Sequence, residues 1–233
     1  MDKLIIIIPT YNPRKSLFEL INFFIKNKPF LIIIVNDGTK QKNLKNIPRL
    51  KHKNLIYLEN KKNFGKGYSI KKALEFIKKE KIDKKNYNIL HCDDDYQHTY
   101  KSILKITSHT HLIKNNNYLI MGKRKKIINA PLASKIGNYI ISQILVIFFK
   151  IKDIDTQNGL RLYSSNIIET LLKCKTNRFE FETEMLIMIL KNHISVYSIE
   201  IETIYNQNHY SRFNKFYDTF LFIKFLIISF LRK

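Results

Sequence analysis

The chain is short of acid and of cysteine, and it lacks any apolar run long enough to cross a bilayer. Only 19 of its 233 residues are Asp or Glu, against 41 Lys and Arg, so the formal net charge is +22. Such an excess favours polyanionic partners: nucleic acid, anionic lipid, or the phosphates of nucleotides and lipids. The sequence is also crowded with Ile, Lys and Asn. A compositional bias of the genome produces the same skew, so the charge carries little weight by itself. Two cysteines, Cys92 and Cys174, with no Cys-x-x-Cys pair, argue against a disulfide framework and fit a reducing compartment. No apolar run reaches the roughly 20 residues that span a bilayer. No secretory leader is expected, because Ile5 to Ile8 is too short and runs straight into a motif. The phosphate loop Gly-x-x-x-x-Gly-Lys-[Ser/Thr] and the fingerprint Gly-x-Gly-x-x-Gly are both missing. What is present is 45% hydrophobic, ample for the core of one α/β domain.

Leu4 to Ile8 reads as a strand buried on both faces. Asn12 then Pro13 reads as an N-cap followed by the first helical residue. Leu17, Leu20, Ile21 and Phe24 repeat at helical spacing down to Lys26. Pro29 breaks the chain, and Phe30 to Val35 forms a second strand ending in Asn36-Asp37-Gly38-Thr39. A third, Asn54 to Leu58, leads into Asn63-Phe64-Gly65-Lys66-Gly67. Ile70, Ala73, Leu74 and Ile77 mark another helix, and Tyr87 to Cys92 a fourth strand. Strands alternating with helices imply right-handed crossovers and a mostly parallel central sheet with helices on both faces. Ligands bind such sheets at the carboxyl ends of the strands. All the unusual chemistry of this sequence lies there.

The fourth strand runs into Asp93-Asp94-Asp95-Tyr96-Gln97-His98. Residues two apart on a strand share a side, so Asp93 and Asp95 are expected to converge while Asp94 faces away. Paired carboxylates repel unless a cation sits between them. Oxygen ligands without sulfur or paired histidines select Mg2+ or Mn2+ over zinc, and Gln97 offers another oxygen. The plainer reading is a solvated acidic turn; the position at a strand end argues against it. Tyr11 is suited to stack on a base, and Asp37 to accept hydrogen bonds from a base or ribose. Gly65 and Gly67 let backbone approach a ligand, and Lys66 supplies positive charge for phosphate. A lone Gly-Lys-Gly is often only a helix-entry turn. A metal at this place would supply positive charge to a diphosphate and so help neutralise the leaving group.

Taken together, Ile8-Pro9-Thr10-Tyr11-Asn12, Val35-Asn36-Asp37-Gly38-Thr39, Asn63-Phe64-Gly65-Lys66-Gly67 and the aspartate cluster resemble family 2 glycosyltransferases. That family has the nucleotide-sugar-binding GT-A fold. The nearest branch is similar to dolichyl-phosphate mannose synthases and their bacterial polyprenyl-phosphate relatives, which usually show Asp-Ala-Asp-Gly-Gln-His at the metal site. Asp155-Thr156-Gln157-Asn158-Gly159-Leu160-Arg161, Arg178-Phe179-Glu180-Phe181-Glu182-Thr183-Glu184, and Tyr205 followed by Ser211-Arg212-Phe213 agree with it. The likeness thus covers nearly the whole chain. It implies Mg2+ or Mn2+ on Asp93, Asp95 and Gln97, with Asp95 catalytic. It implies a nucleotide sugar held by Pro9, Tyr11, Asp37, Lys66, Asp93 and Asp94. An acceptor phosphate would be held by Arg124, Ser134 and Arg161. Two positions depart from the family: Asn36 stands where an acid is usual, and so does Pro13 after Asn12. Both leave the base of the nucleotide open.

On this reading residues 1–212 form the catalytic domain, with 1–122 the nucleotide-sugar and metal half and 123–212 the acceptor half. Tyr118 to Gly122 is a fifth strand, followed by the basic run Lys123-Arg124-Lys125-Lys126. That run is either a solvated loop or part of the acceptor site. Gly137 to Phe149 reads as a helix, either core or interfacial. The tail, 213–233, is expected to associate with a membrane. Phe216 to Leu231 is apolar almost all round, interrupted by Asp218 and Lys224. It suits an interfacial or docking helix with Lys224 snorkelling and Arg232-Lys233 at the headgroups. The protein is accordingly expected at the cytoplasmic face of the membrane, peripheral or monotopic.

A polyprenyl phosphate acceptor is already an anion, since a second phosphate pKa is about 6, and it requires no general base. A hydroxyl acceptor, on a glycan or lipid, requires one. Glu182 and Glu184 are the candidates, although residues two apart on a helix lie on different faces. A nucleotidyltransferase would show a glycine-rich basic loop after the first strand, which Pro9-Thr10-Tyr11-Asn12 is not. A nucleic-acid-binding module has no motif here, and the acid cluster opposes it. The expected function is metal-dependent, inverting transfer of a hexose from a nucleotide sugar to a polyprenyl phosphate.

Overall fold

Ile5, Ile6, Ile7 and Ile8 have no exposed surface, and all seven residues of β1 (Leu4–Thr10) are buried. Alternate side chains of a strand point to opposite faces, so such a run needs cover on both sides. Helices supply it. On one face α2 (Lys66–Lys79), α4 (Ile168–Leu172) and α5 (Phe181–Lys191) pack Ile70, Leu74, Leu171, Phe181 and Met185 against Ile5, Ile7 and Ile33. On the other, α1 (Ser16–Lys26) and α3 (Tyr100–Ser108) bring Leu17, Ile21, Phe24, Ile103 and Ile106 against Ile6, Ile8 and Ile34. Each fully buried side chain of this size contributes about 1.5–3 kcal/mol.

The computed structural model describes residues 3–95, 97–113, 115–124, 143, 154–156, 158–202, 221, 224 and 225. Its seven-stranded sheet runs β3-β2-β1-β4-β6-β5-β7, with β2 at Leu31–Asn36, β3 at Leu55–Glu59, β4 at Asn88–His91 and β5 at Tyr118–Arg124. The pairings of β1 with β2 and β4, of β2 with β3, and of β5 with β7 (Ser195–Ile201) are parallel. One strand departs from the parallel expectation: β6 (Arg161–Ser164) runs antiparallel to both β4 and β5. Four residues opening on an arginine carry no apolar run, so this strand leaves no mark in the pattern. The register aligns Thr10 with Asn36, Asn36 with Glu59, and His91 with Arg161. One edge of the sheet therefore gathers the carboxyl ends of β1 to β5 and the entry to β6.

Helix α1 begins at Ser16 rather than at Pro13. Asn12 is in the left-handed region, φ 50°, and does not cap it. Instead its amide donates to Thr39 Oγ1 at 3.1 Å, while its Oδ1 accepts from Lys40 N at 3.0 Å. The turn after β1 is thereby stapled to the turn after β2. Ser134, Tyr96, Gln157, Tyr205 and Ser211 to Phe213 lie outside the described residues. So does the segment 137–149 apart from Gln143, which is helical and exposed. Of the tail, Leu221, Lys224 and Phe225 are described: all are helical, Lys224 is exposed and Phe225 buried. No helix among the described residues is long and apolar enough to cross a membrane.

Candidate active site

The turn after β2 is built around two side chains that the protein uses itself. Asn36 Oδ1 accepts from Thr39 N at 3.0 Å, which closes the turn through Gly38 at φ 68°. A side chain on Gly38 would strike the Lys62 backbone. Asp37 is buried. Its carboxylate accepts from Asn60 Nδ2 at 2.8 Å, Phe64 N at 3.0 Å and Gly65 N at 2.8 Å. Asp37 thus holds the glycine loop in place. Gly65, at φ 108°, and Gly67 are closely packed against the chain. A Cβ on Gly65 would lie 2.5 Å from Asn177 O, and one on Gly67 would lie 2.6 Å from Phe181 Cγ. They let the start of α2 dock on the segment that enters α5.

Docking places Lys66 at the centre of a charged chain. Its Nζ lies 2.6 Å from Asp93 Oδ1 and 2.8 Å from Glu182 Oε1. On the far side of Glu182, His91 Nε2 stands 3.6 Å from Oε1, too far for a hydrogen bond. Burial, which outweighs the carboxylate, keeps the His91 imidazole neutral. Burial alone would lower the Lys66 pKa, but Asp93 and Glu182 together raise it above the usual lysine value. Burial alone would likewise raise Glu182; Lys66 first, then His91 and Arg161, hold it well below the usual carboxylate range.

The three aspartates follow the end of β4 and differ in their partners. Asp94 is buried, its carboxylate accepting the Thr10 hydroxyl and its carbonyl accepting Ser16 Oγ at 3.2 Å. It braces β1 and the turn after it against the cluster. Asp95 Oδ1 accepts from Gln97 N at 3.1 Å. Burial first, then Asp93 and Asp94, push its carboxyl up to about 7. A cation between these groups relieves that repulsion. No group of three or more His, Cys, Asp or Glu side chains forms a metal cage among the described residues. Two carboxylates nonetheless suit Mg2+, which is usually bound through one or two of them with substrate phosphates completing its shell.

Comparison with known proteins decides what this edge belongs to. The Glycosyl transferase family 2 profile matches residues 5–172. The chain belongs to that family. It is 28% identical over 235 residues to a UDP-N-acetylglucosamine--dolichyl-phosphate N-acetylglucosaminyltransferase of Methanococcus voltae, covering 91% of this chain and 90% of the relative. Glucosyl-3-phosphoglycerate synthase of Mycobacterium tuberculosis has a similar fold at 10% identity, with TM-score 0.68 over 97% of this chain and 80% of that one. A complex of the same enzyme with Mn2+, uridine diphosphate and glucosyl-3-phosphoglycerate matches with TM-score 0.64, covering 89% and 73%. The fold is GT-A, and this family 2 protein is a nucleotide-sugar-dependent glycosyltransferase.

Two of the arginines and glutamates picked out in the sequence have other work in this glycosyltransferase. Arg161 is fully buried. Its guanidinium donates to the carbonyls of Glu182 at 2.5 Å, Thr156 at 3.0 Å and Asn158 at 3.4 Å. These bonds tie the segment before β6 to the start of α5. Glu184 accepts from Lys175 N, Thr176 N and Thr176 Oγ1 at 3.0, 2.8 and 2.6 Å. It secures the turn before α5 and stays out of the site. Arg124, at the end of β5, is held by Asp155 through Nε at 2.5 Å and Nη2 at 2.7 Å. That fork-to-fork pairing fixes the guanidinium's orientation. Pro9 is buried within β1 and Tyr11 is half-buried just beyond it.

Three residues that the sequence did not single out complete the edge. Gly159 backs directly onto the ion pair: a Cβ there would collide with Asp93 Oδ2 and lie 2.7 Å from Lys66 Nζ. Asp155 sets Arg124. His98 is buried, burial pushes its imidazole down to about 4, and neither ring nitrogen has a hydrogen-bond partner among the described residues. Gly159 and Asp155 stand inside a motif quoted for its family likeness, yet only the third dimension shows what each one faces.

Proposed function

We propose that this enzyme transfers a hexose, with inversion, from a nucleotide sugar to a dolichyl-type polyprenyl phosphate at the cytoplasmic face of a membrane, assisted by Mg2+ or Mn2+ on Asp93, Asp95 and Gln97. The observation that carries the acceptor class is the state of the two glutamates. Glu184 is spent on the Thr176 turn. Glu182 is paired with Lys66 and held as a carboxylate of very low basicity. A general base works best with a pKa near the operating pH, so neither glutamate suits the deprotonation of a hydroxyl. A phosphate nucleophile arrives already ionised and asks only for cations and position. The Methanococcus voltae relative, whose name specifies a dolichyl-phosphate acceptor, supports the same reading.

The donor site follows from the edge geometry. Tyr11 beside the end of β1 offers a face for the base, and the loop that Asp37 secures carries Lys66 toward the diphosphate. Asp93, Asp95 and Gln97 would hold the ion, which would supply positive charge against the leaving diphosphate. Arg124, oriented by Asp155, and Ser134 contact the acceptor phosphate. UDP sugars are the first donors to test, because the relative uses UDP-N-acetylglucosamine by name. The experiment incubates the full chain with Mg2+ or Mn2+, a panel of UDP and GDP sugars, and either a short polyprenyl phosphate or the matching polyprenol. Transfer to the phosphate and not to the alcohol is expected. Transfer to hydroxyl acceptors alone would overturn the acceptor assignment, and full turnover in EDTA would overturn the metal.

A further inference from the structure

Asp93 already has a cation. Lys66 Nζ sits 2.6 Å from its Oδ1, with only 10% of the lysine side chain and 27% of the aspartate exposed. The space around the pair is closed at the back, since even a methyl group on Gly159 would collide with Asp93 Oδ2 and crowd Lys66 Nζ. The backbone of Lys66 is pinned as well: it is the first residue of α2, between two glycines packed against Asn177 and Phe181. Whatever moves here is the lysine side chain.

From this geometry we propose that Lys66 and the divalent cation compete for Asp93, so that the metal enters together with the donor, whose diphosphate draws the ammonium away. The inference rests on the metal reading given above. Two cations on one carboxylate repel unless further negative charge is supplied, and a diphosphate supplies it. An ammonium is a compact charge on a flexible four-carbon stem, well suited to leave one anion for another. Glu182, 2.8 Å from Nζ, keeps hold of Lys66 during that exchange. Glu182 is thus a positioning residue: it retains the lysine at the site and takes no proton from the acceptor. The arrangement makes the donor-free enzyme a poor metal binder, and the metal–donor complex the species that the site accepts.

The test measures Mn2+ binding to the full chain by electron paramagnetic resonance of the free ion, with and without UDP. The native protein is expected to bind Mn2+ weakly alone and at least about tenfold more tightly with UDP, the scale of one neighbouring charge on a carboxylate. Lys66→Met should bind Mn2+ alone about tenfold more tightly than native, and UDP should add less. That variant also gains a net negative charge, which attracts metal whatever the mechanism. The double variant Lys66→Met/Glu182→Gln removes one charge of each sign, leaves Asp93 without its lysine, and spares the fold an unpaired buried carboxylate. Tightening in the double variant supports the competition. Tightening in the single variant alone reports net charge and overturns it, as does unchanged or weaker binding in both. If no protein binds Mn2+ even with UDP, the metal reading itself falls. If native binding with UDP is intact and is lost in Asp95→Asn, the metal reading stands whatever Lys66 does.

Discussion

At the scale of single residues, the site depends as much on what is missing as on what is charged. Gly159 leaves room for the Asp93–Lys66 pair to sit against the backbone before β6. In Gly159→Ala the new methyl must push Asp93 or Lys66 aside. A misplacement of this kind costs about 100-fold in turnover. The variant should still melt within about 8 °C of native, because ordinary single-site costs shift Tm by only a few degrees. Turnover within a factor of about three of native, measured at saturating donor, would show that the pair is not confined as described. Asp37 makes the complementary case. Its carboxylate accepts from three N–H groups, so Asp37→Asn sets an amide donor against them. The expected loss is about 1.5–3 kcal/mol, typical of hydrogen bonds to a charged group, read by urea denaturation. A denaturation curve superimposable on native would remove Asp37 from the scaffold of the glycine loop. The sequence marked Asp37 as polar and well placed, but whether its partner is a ligand or the chain itself depends on Asn60 and Phe64, 23 and 27 residues away.

At the scale of elements, α5 shows how a helix sorts two similar side chains. Successive residues turn by about 100°, so Glu182 and Glu184 lie on different faces. Glu182 meets Lys66 across the site while Glu184 turns back to Thr176. Glu184→Gln should therefore lower stability by about 1–3 kcal/mol with turnover nearly unchanged. Glu182→Gln should reduce turnover by less than about tenfold, below the 10²–10⁴ range of lost general-base catalysis. A well-folded Glu182→Gln protein that is essentially dead would return the hydroxyl acceptor to first place. The elements themselves were unevenly legible. Strands β1 and β2 announce themselves as apolar runs buried on both faces and β3 to β5 as shorter apolar stretches, while α1 and α2 show apolar residues at helical spacing. β6 was not legible, because its first residue is a buried arginine whose charge is balanced by carbonyls from elsewhere. β7 was missed for a different reason. Tyr197 and Ser198 face outward and only Ile199 and Ile201 are buried, a pattern too short to separate from a loop.

For the whole molecule, the question is how a strongly basic enzyme would meet the proposed lipid acceptor. The net charge of +22 attracts an anionic leaflet, with about 1 kcal/mol from each basic residue near the surface. That attraction fades over roughly 8 Å at physiological salt. An apolar tail entering the interface would add burial that salt does not screen. Lys224 is exposed on its helix while Phe225 beside it is buried, so two outcomes are physically distinct. If the tail enters the interface, a chain ending at Asn214 should stop floating with vesicles while still binding UDP. The full chain should float with anionic vesicles at low salt and keep part of that association at 0.5 M salt, where screening leaves mainly apolar contact. If the tail packs on the catalytic domain, the shortened chain should float as well as the full one at low salt, and salt should release both. Flotation of the two chains at both salt concentrations therefore separates an anchor from a structural helix, with retained UDP binding showing that the catalytic domain is intact.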